Sequence, residues 1–338
     1  MTVSVREVAA SAGVSVGTVS NVMNRPDKVA PQTVERVLAA IEALGFVRND
    51  AARQLRAGRS RSIGLVVLDA GNPFFTDLAR GAERRAAEQG FSVLIGNSDE
   101  DANREAAYLD LFEEQRVYGV LITPLGDATA RLERLRERGT PTVLVDREAG
   151  NARFSSVAVD DHVGGRLAAD HLVSLGRRRL AFVGGPLAIR QVADRLAGAR
   201  EAVAGHADAT VEVFETESLS VDQGRAAGER ILARPAAERP DAVFAANDLL
   251  AMGLLQALLG TGSVRVPDDI ALVGYDDIAF ASAGVVPLTS VRQPSERIGY
   301  TAMDLLLREA AGGAGFEHER VLFTPEIALR ESTLGRRA

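Results

Sequence analysis

Val5-Arg-Glu-Val-Ala-Ala-Ser-Ala-Gly-Val-Ser-Val-Gly-Thr-Val-Ser-Asn-Val-Met-Asn24, continued by Val29-Ala-Pro-Gln-Thr-Val-Glu-Arg-Val37 and Gly45-Phe46, decides how this chain begins to fold. Ser4 and Glu7 have the spacing of a capping box, in which each side chain satisfies the other residue's free backbone N–H. The helix they open carries Val5, Val8 and Ala9 on one face and should stop near Gly13. Ser15 is a good N-cap for a second helix, with Val19 and Val22 facing inward. Pro31 suits the first position of a third helix. Its Val34, Val37, Leu38, Ile41 and Leu44 recur at the helical period until Gly45. Two short helices about a tight glycine turn, braced by a third, predict a helix-turn-helix, which presents its second helix to the major groove of DNA. A three-helix bundle without a ligand would show the same helix pattern.

Composition fits such a head on a different body. The chain has 338 residues, 46% of them hydrophobic, enough for a large core and two or three domains. Net charge is −7, yet residues 1–60 hold eight Lys/Arg against five Asp/Glu, and the remainder holds 31 against 41. A basic head on an acidic body predicts that only the head meets polyanions, although random scatter can also give such a split. Lys28 is the one lysine among 39 basic residues. With no cysteine, disulfides and thiolate metal sites are excluded. No run of eighteen apolar residues predicts a membrane span, and the start lacks the pattern of a signal peptide. A cytoplasmic protein is the expectation.

Beyond residue 60, apolar runs alternate with helical stretches. Candidate strands are Ile63–Leu68, Phe91–Ile95, Gly119–Ile122, Thr142–Val145, Leu180–Val183, Val211–Phe214, Ala242–Ala245 and Ile270–Val273. Helices are expected over Leu78–Gln89, Gly164–Leu175, Arg195–Ala204, Gly224–Leu232 and Leu249–Leu259. The last is apolar nearly all round, so it is either buried within its domain or part of a subunit interface. Alternation predicts an α/β body of doubly wound parallel sheets. Two such sets predict two lobes with a ligand crevice at the carboxyl ends of the strands. Polar groups collect there: Asn72-Pro-Phe-Phe75, Asp146-Arg147, Ala193–Gly198, Ala245–Asp248, Gly274–Asp277 and Thr289–Pro294. Singly, each could be a helix cap or turn.

The head closely resembles that of the lactose-repressor family, over the gapless stretch quoted above. The resemblance implies that Ser15, Val16, Gly17, Thr18, Ser20 and Asn21 lie on the recognition helix, with Val16, Gly17 and Asn21 at its main base-reading positions. Asn24 and Lys28 match phosphate contacts. The founding member has large polar side chains at all three reading positions. Gly17 has none, while Asn21 can pair with adenine through N6 and N7. The hinge, Asn49-Asp-Ala-Ala-Arg-Gln-Leu-Arg-Ala-Gly58, is too short to be a stable helix alone and is expected to fold on a partner or to be a plain linker. In the family two hinge helices pair across the minor groove; Asn49 caps, Leu55 matches the inserted leucine and Arg56 the groove-edge position.

The body is similar to the family's effector domain and to periplasmic sugar-binding proteins. The resemblance implies an N-terminal helix-turn-helix over 1–46, a hinge over 47–60, and a two-lobed, periplasmic-binding-protein-like domain over 61–338. The lobes are expected at 61–159 with 291–321 and at 160–290 with 322–332. Asn72, Asp146, Arg147, Arg195, Asn247, Asp276 and Gln293 are then expected to line the cleft, with Phe74 and Phe75 against an apolar sugar face. Carboxylates accept hydroxyls, arginine donates in a planar fork, and amides do both, so the set looks most like a ribose-type sugar reader. Leu219 falls where relatives often carry an aromatic, and Ile189, Arg190 and Gln191 also depart from the founding member. The expected whole is a homodimeric, sugar-controlled repressor on a pseudo-palindromic operator, without the family's tetramer-forming extension, cofactor or metal. An enzyme is the rival reading. It is disfavoured because His162, His171, His206 and His318 lack metal-ligand spacing and because hydrolase and nucleotide-binding motifs are missing. A nucleoid binder lacks a use for the cleft. The acidic run 97–105 lacks calcium-loop order and reads as a solvated loop.

If Leu55 is a minor-groove wedge, Leu55→Ala lowers specific operator affinity by about one to a few kcal/mol and leaves the body's stability unchanged. Gel-shift titration and DNA bend-angle measurement test this; unchanged affinity and bend would dismiss the wedge.

Overall fold

The computed structural model describes residues 3–46, 60–126, 128–150, 153–260, 262–312 and 316–335. The hinge positions Asn49, Leu55 and Arg56 lie outside the described residues. The chain divides into two compact units, Met1–Arg59 and Ser60–Ala338.

In the first unit, α1 (Val5–Ala12) opens on the expected capping box. The Glu7 carboxylate accepts the Ser4 N–H at 2.7 Å, and Ser4 Oγ accepts the Glu7 N–H at 3.4 Å. The bond from the Ser4 backbone is the main reason that the Glu7 carboxyl titrates below its ordinary range. Gly13 ends the helix at φ 63°, where a side chain would be strained. Ser15 Oγ accepts the Thr18 N–H at 3.0 Å and starts α2 (Val16–Asn24). A 3-10 turn, Pro26–Lys28, leads to α3 (Pro31–Leu44), which begins on Pro31 and stops at Gly45, φ 60°. Val8, Ala9, Ala12, Val19, Val22, Val37 and Ala40 form its core. Leu38, expected on the inner stripe, is 53% exposed. It lies about 100° round the helix from Val37, and Ala40 is buried instead.

The second unit holds two six-stranded sheets. One runs β11-β5-β4-β3-β1-β2, from β1 (Ser62–Val67), β2 (Ser92–Asn97), β3 (Val120–Ile122), β4 (Thr142–Val145), β5 (Ser155–Val159) and β11 (Arg320–Phe323). The other runs β12-β10-β9-β8-β6-β7, from β6 (Arg179–Val183), β7 (Thr210–Phe214), β8 (Ala242–Ala245), β9 (Ala271–Asp276), β10 (Thr289–Arg292) and β12 (Glu326–Ala328). Every pairing is parallel except β10 with β12. Central strands such as β3, β4, β8 and β9 are buried throughout, as strands covered on both faces must be.

Helices α4 (Pro73–Ala87), α5 (Ala102–Glu114), α6 (Thr129–Glu137) and α12 (Ser295–Gly312) serve the first sheet. Helices α7 (Asp161–Ser174), α8 (Arg190–Ala204), α9 (Val221–Leu232), α10 (Asp248–Gly260) and the short α11 (Ala279–Ala283) and α13 (Glu331–Leu334) belong to the second. The chain crosses between lobes between β5 and α7, between β10 and α12, and between β11 and β12. The last two crossings fall at Gln293-Pro294 and Thr324-Pro325, slightly later than the expected 290/291 and 321/322.

Within each lobe, helices approach until their backbones touch. A Cβ on Gly165 of α7 would lie 1.9 Å from the Arg195 carbonyl oxygen of α8, and one on Gly198 of α8 would lie 1.9 Å from that of His162. Gly224 and Gly253 join α9 to α10 in the same way. Most of α10 is consumed by this packing: Leu250, Ala251, Leu254 and Leu258 are buried, and Leu249, Met252 and Leu255 lie half-buried against the core.

Gly165→Ala therefore destabilises the second unit by about 1–3 kcal/mol through overpacking. Gly17→Ala meets only Ser15 Oγ, at 3.6 Å, and stabilises the head by up to about 1 kcal/mol. Urea titrations of the two variants are expected to move in opposite directions; movement of both in one direction would contradict the packing described.

Candidate effector cleft and DNA-binding face

The exposed face of α2 carries Val16, Gly17, Asn21 and Asn24, and Lys28 follows on the exposed turn. Thr18 and Ser20 are half-buried. Thr18 Oγ1 is 2.9 Å from the Ser15 hydroxyl, while Asn24 donates to the Ser20 carbonyl at 2.8 Å. Two of the proposed DNA-facing side chains are thus also tied to the helix's own ends. Val16 is 43% exposed, an apolar contact that water alone does not favour.

The cleft is built from strand ends. Asn72 follows β1, caps α4 by accepting the Phe74 N–H at 3.0 Å, and sends its amide across to Asp276 Oδ2 at 3.1 Å. Phe74 and Phe75 are buried, edge to face, with centroids 5.0 Å apart. Asp146 follows β4, at φ 53°. Gln191 of α8 reaches it from the other lobe, donating to its carbonyl at 2.6 Å and to Oδ2 at 3.2 Å. Asp276 ends β9 at φ 101° and accepts from Gln293 Nε2 at 2.8 Å. Left-handed backbone at non-glycine residues costs on the order of 1–3 kcal/mol each and gathers at functional sites. Here it aims two carboxylates into one space.

Arg195 is the cation of that space. Its Nε donates to Asp161 Oδ1 at 2.8 Å, Nη1 donates to the Ala246 carbonyl at 2.8 Å, and its guanidinium lies 3.7 Å from the centre of the buried Tyr275 ring. Burial works against its charge, but Asp161 above all, with Asp276 and Asp146, holds its pKa above the ordinary value. Burial raises the pKa of Asp146, Asp161 and Asp276. Mutual repulsion adds to the effect and Arg195 opposes it.

The space is lined by Leu68, Asp69, Asn72, Phe74, Phe75, Glu100, Asp146, Ile189, Gln191, Val192, Arg195, Leu219, Asn247 and Asp276. Its volume is about 30 Å³, room for roughly two waters at about 10–15 Å³ each. Gln293 stands behind Asp276. Asn247 lines the space but is committed locally: it caps α10 through the Leu250 N–H at 2.9 Å and holds the Leu219 carbonyl at 3.1 Å. Arg147 differs from expectation. The turn at Asp146 directs it into an adjoining hollow of about 630 Å³ with Arg190, Asp194 and Arg320, and its Nη2 reaches the Gly126 carbonyl. Glu100 is the opposite case: the acidic run read as solvated places it in the cavity wall. Asp161 was also missed. It sits two residues past a strand end, at the start of a helix, where an acidic residue is ordinary.

Ser155, His318 and Glu309 form the one serine–imidazole–carboxylate group in reach among the described residues. Ser155 Oγ and Glu309 both face His318 Nδ1, and Arg136 occupies Nε2. No relay from acid through imidazole to hydroxyl exists there. No described helix is long and apolar enough to cross a membrane.

Residues 4–49 match the family described as bacterial regulatory proteins, lacI family, and residues 169–333 match a periplasmic binding protein-like domain. The ribose operon repressor of Bacillus subtilis is 36% identical over 304 residues, 90% of either chain. The lac repressor dimer bound to operator and the anti-inducer ONPF is similar over 99% of this chain and 100% of that one, with 29% identity and a TM-score of 0.83. A LacI family transcriptional regulator from Enterococcus faecium with bound ribose matches over 82% of this chain and 100% of that one, at 29% identity and a TM-score of 0.73.

Replacing Arg195 with methionine leaves three buried carboxylates without their cation, a loss of about 3–5 kcal/mol near neutral pH. Acids whose folded pKa is raised contribute most below their unfolded value, near 3.9, and that contribution is lost as pH rises through the folded value. Arg195→Met is therefore expected to be less destabilised at pH 5.5 than at pH 7.5. Urea unfolding at the two pH values measures this, and an equal deficit at both would refute the charge argument.

Proposed function

The chain belongs to the lacI family of bacterial regulatory proteins, and on that premise we propose a dimeric repressor that leaves its pseudo-palindromic operator when a small neutral sugar occupies the cleft. One observation carries the reading: the cavity's polar groups come from both lobes and already bond across the gap, Asn72 to Asp276 and Gln191 to Asp146. A ligand that replaces those bonds has a different affinity for open and closed lobes, and such a difference is the only means by which binding can shift a conformational equilibrium.

A pentose needs more than the room for two waters, so the lobes must part to admit it and can close on its hydroxyls. Asp146 and Asp276 accept those hydroxyls, Arg195 and Asn72 donate, and the Phe74 and Phe75 rings cover an apolar ring face. The bound ribose of the Enterococcus faecium protein and the ribose operon of the Bacillus subtilis repressor favour a pentose. At the head, Asn21 reads adenine, Val16 contacts a thymine methyl, and Asn24 and Lys28 position the helix on phosphates. One head covers only a half-site, so two chains bind one operator, as the lac repressor dimer does.

Operator DNA selected from a random pool is expected to bind two chains, with a two-chain mass in light scattering, and to be released by a sugar found in a thermal-shift screen. Asp276→Ala abolishes the response to sugar while operator affinity stays within about twofold, because the substitution lies in the other compact unit from the head. A strictly monomeric chain that binds an intact operator tightly would overturn the dimer. An alanine variant with wild-type sugar affinity would overturn the site.

A further inference from the structure

Glu100 has no place in the ligand set drawn above, yet its surroundings are built. It follows β2 on two successive left-handed residues, Asp99 at φ 54° and Glu100 at φ 56°, a conformation that non-glycine residues seldom adopt. The turn is held in place: Ser98 N–H donates to the Val67 carbonyl at 2.9 Å and Glu100 N–H to that of Leu68 at 3.1 Å. Asp99 is directed outward to Arg104. Glu100 is directed inward, into the wall shared with Asn72, Asp276 and Leu219.

Among the described residues its carboxylate meets no cation. It faces the Leu219 backbone N–H of the opposite lobe, whereas Oε2 is buried with no hydrogen-bond partner. Asp146 Oδ1 is a second buried acceptor without a partner in the same space. Buried acceptors left unmatched are costly, and two on residues that line one cavity indicate what a ligand must bring. The acceptors outnumber the donors, and the one guanidinium, Arg195, is already bound to Asp161 and Ala246.

We propose that Glu100 is a specificity-determining residue of the cleft, whose carboxylate accepts a hydrogen bond from a hydroxyl or amine of the ligand and so rejects ligands that present an apolar or anionic group there. The assignment rests on the reading of the cleft as a sugar site. It assigns a role to the residue at the Leu219 end of the cavity: where an aromatic lid is lacking, a polar contact from the first lobe takes the ligand's edge.

Burial lifts the Glu100 pKa to about 7, against the Leu219 N–H and with the help of Asp69 and Asp99. Asp146, Asp276 and Arg195 also face the cavity. A donor placed on Glu100 favours its ionised form, so ligand binding near pH 7 releases a fraction of a proton, and affinity rises with pH through that region.

The test is calorimetry of the full chain with D-ribose, D-glucose, D-glucosamine and ribose 5-phosphate, in two buffers of different ionisation enthalpy, for wild type, Glu100→Gln and Glu100→Leu. The sugar that binds wild type best is expected to be neutral or amino-bearing. It should bind Glu100→Leu at least about tenfold more weakly, the scale of one lost bond to a charged group. Glu100→Gln keeps an acceptor and falls between, with its proton release diminished. Wild-type affinity in Glu100→Leu would overturn the assignment while leaving the cleft in place. Unchanged affinity and proton release in Glu100→Gln would do the same if the leucine variant fails to fold. Preference for ribose 5-phosphate over ribose would also overturn it. If none of the four binds wild type at millimolar concentration, the sugar reading of the cleft falls and Glu100's role falls with it.

Discussion

The buried guanidinium of Arg195 sets the terms for everything around it. It holds Asp161 at the first crossing, the Ala246 carbonyl at the end of β8 and the face of Tyr275 on β9, so three elements of one lobe share a single cation. A charge this deep is tolerable only with its partners in place, and the cleft carboxylates Asp146 and Asp276 lie close enough to share its field. The close approach of α7 and α8 at Gly165 and Gly198 follows from the same need. It brings Arg195 close enough to the neighbouring helix to meet Asp161 without a bridging water. Stability and ligand chemistry are therefore not separable at this point of the fold.

Much of this was legible in the sequence. The capping box, the glycine stops and the 3.6-residue stripe specified the head, and eight apolar runs marked eight of the twelve strands. The missed strands were β5, β10, β11 and β12. Ser155-Ser156 and Thr289-Ser290 interrupt two of them with hydroxyls that bond within the core, and the two near the third crossing are short and half-exposed. An apolar-run criterion cannot find such strands. In the cleft, residues that follow apolar strands were found, because strand ends converge there. Arg147 was misplaced because a left-handed turn breaks the alternation that neighbouring strand residues obey. Glu100 was missed for the same reason in reverse. Positive φ has only a weak signature in residue type, in that aspartate adopts it more readily than most residues, as at Asp99 and Asp146; Glu100 carries none.

The three crossings constrain what the lobes can do relative to one another. A single linker would permit twisting as well as opening, whereas three connections restrict the relative motions open to the lobes. Gln293 lies on one of them and donates to Asp276; Asp161 begins the helix after another and holds Arg195. Residues on two of the crossings thus hold groups that line the cleft, so a rotation of the lobes about them acts directly on Asp276 and Arg195.

Lys28 gives the chain an unusual chemical singularity. It is the only lysine of the 338 residues, exposed on the turn that follows α2, and arginine carries every other fixed positive charge of the side chains. Acylating agents attack side-chain amines and spare guanidinium groups, so one such event removes a charge from the head and cannot touch the cleft, its ion pairs or either sheet. For the same reason, an amine-directed fluorophore reports from one defined side-chain position beside the recognition helix, without a substitution to put it there.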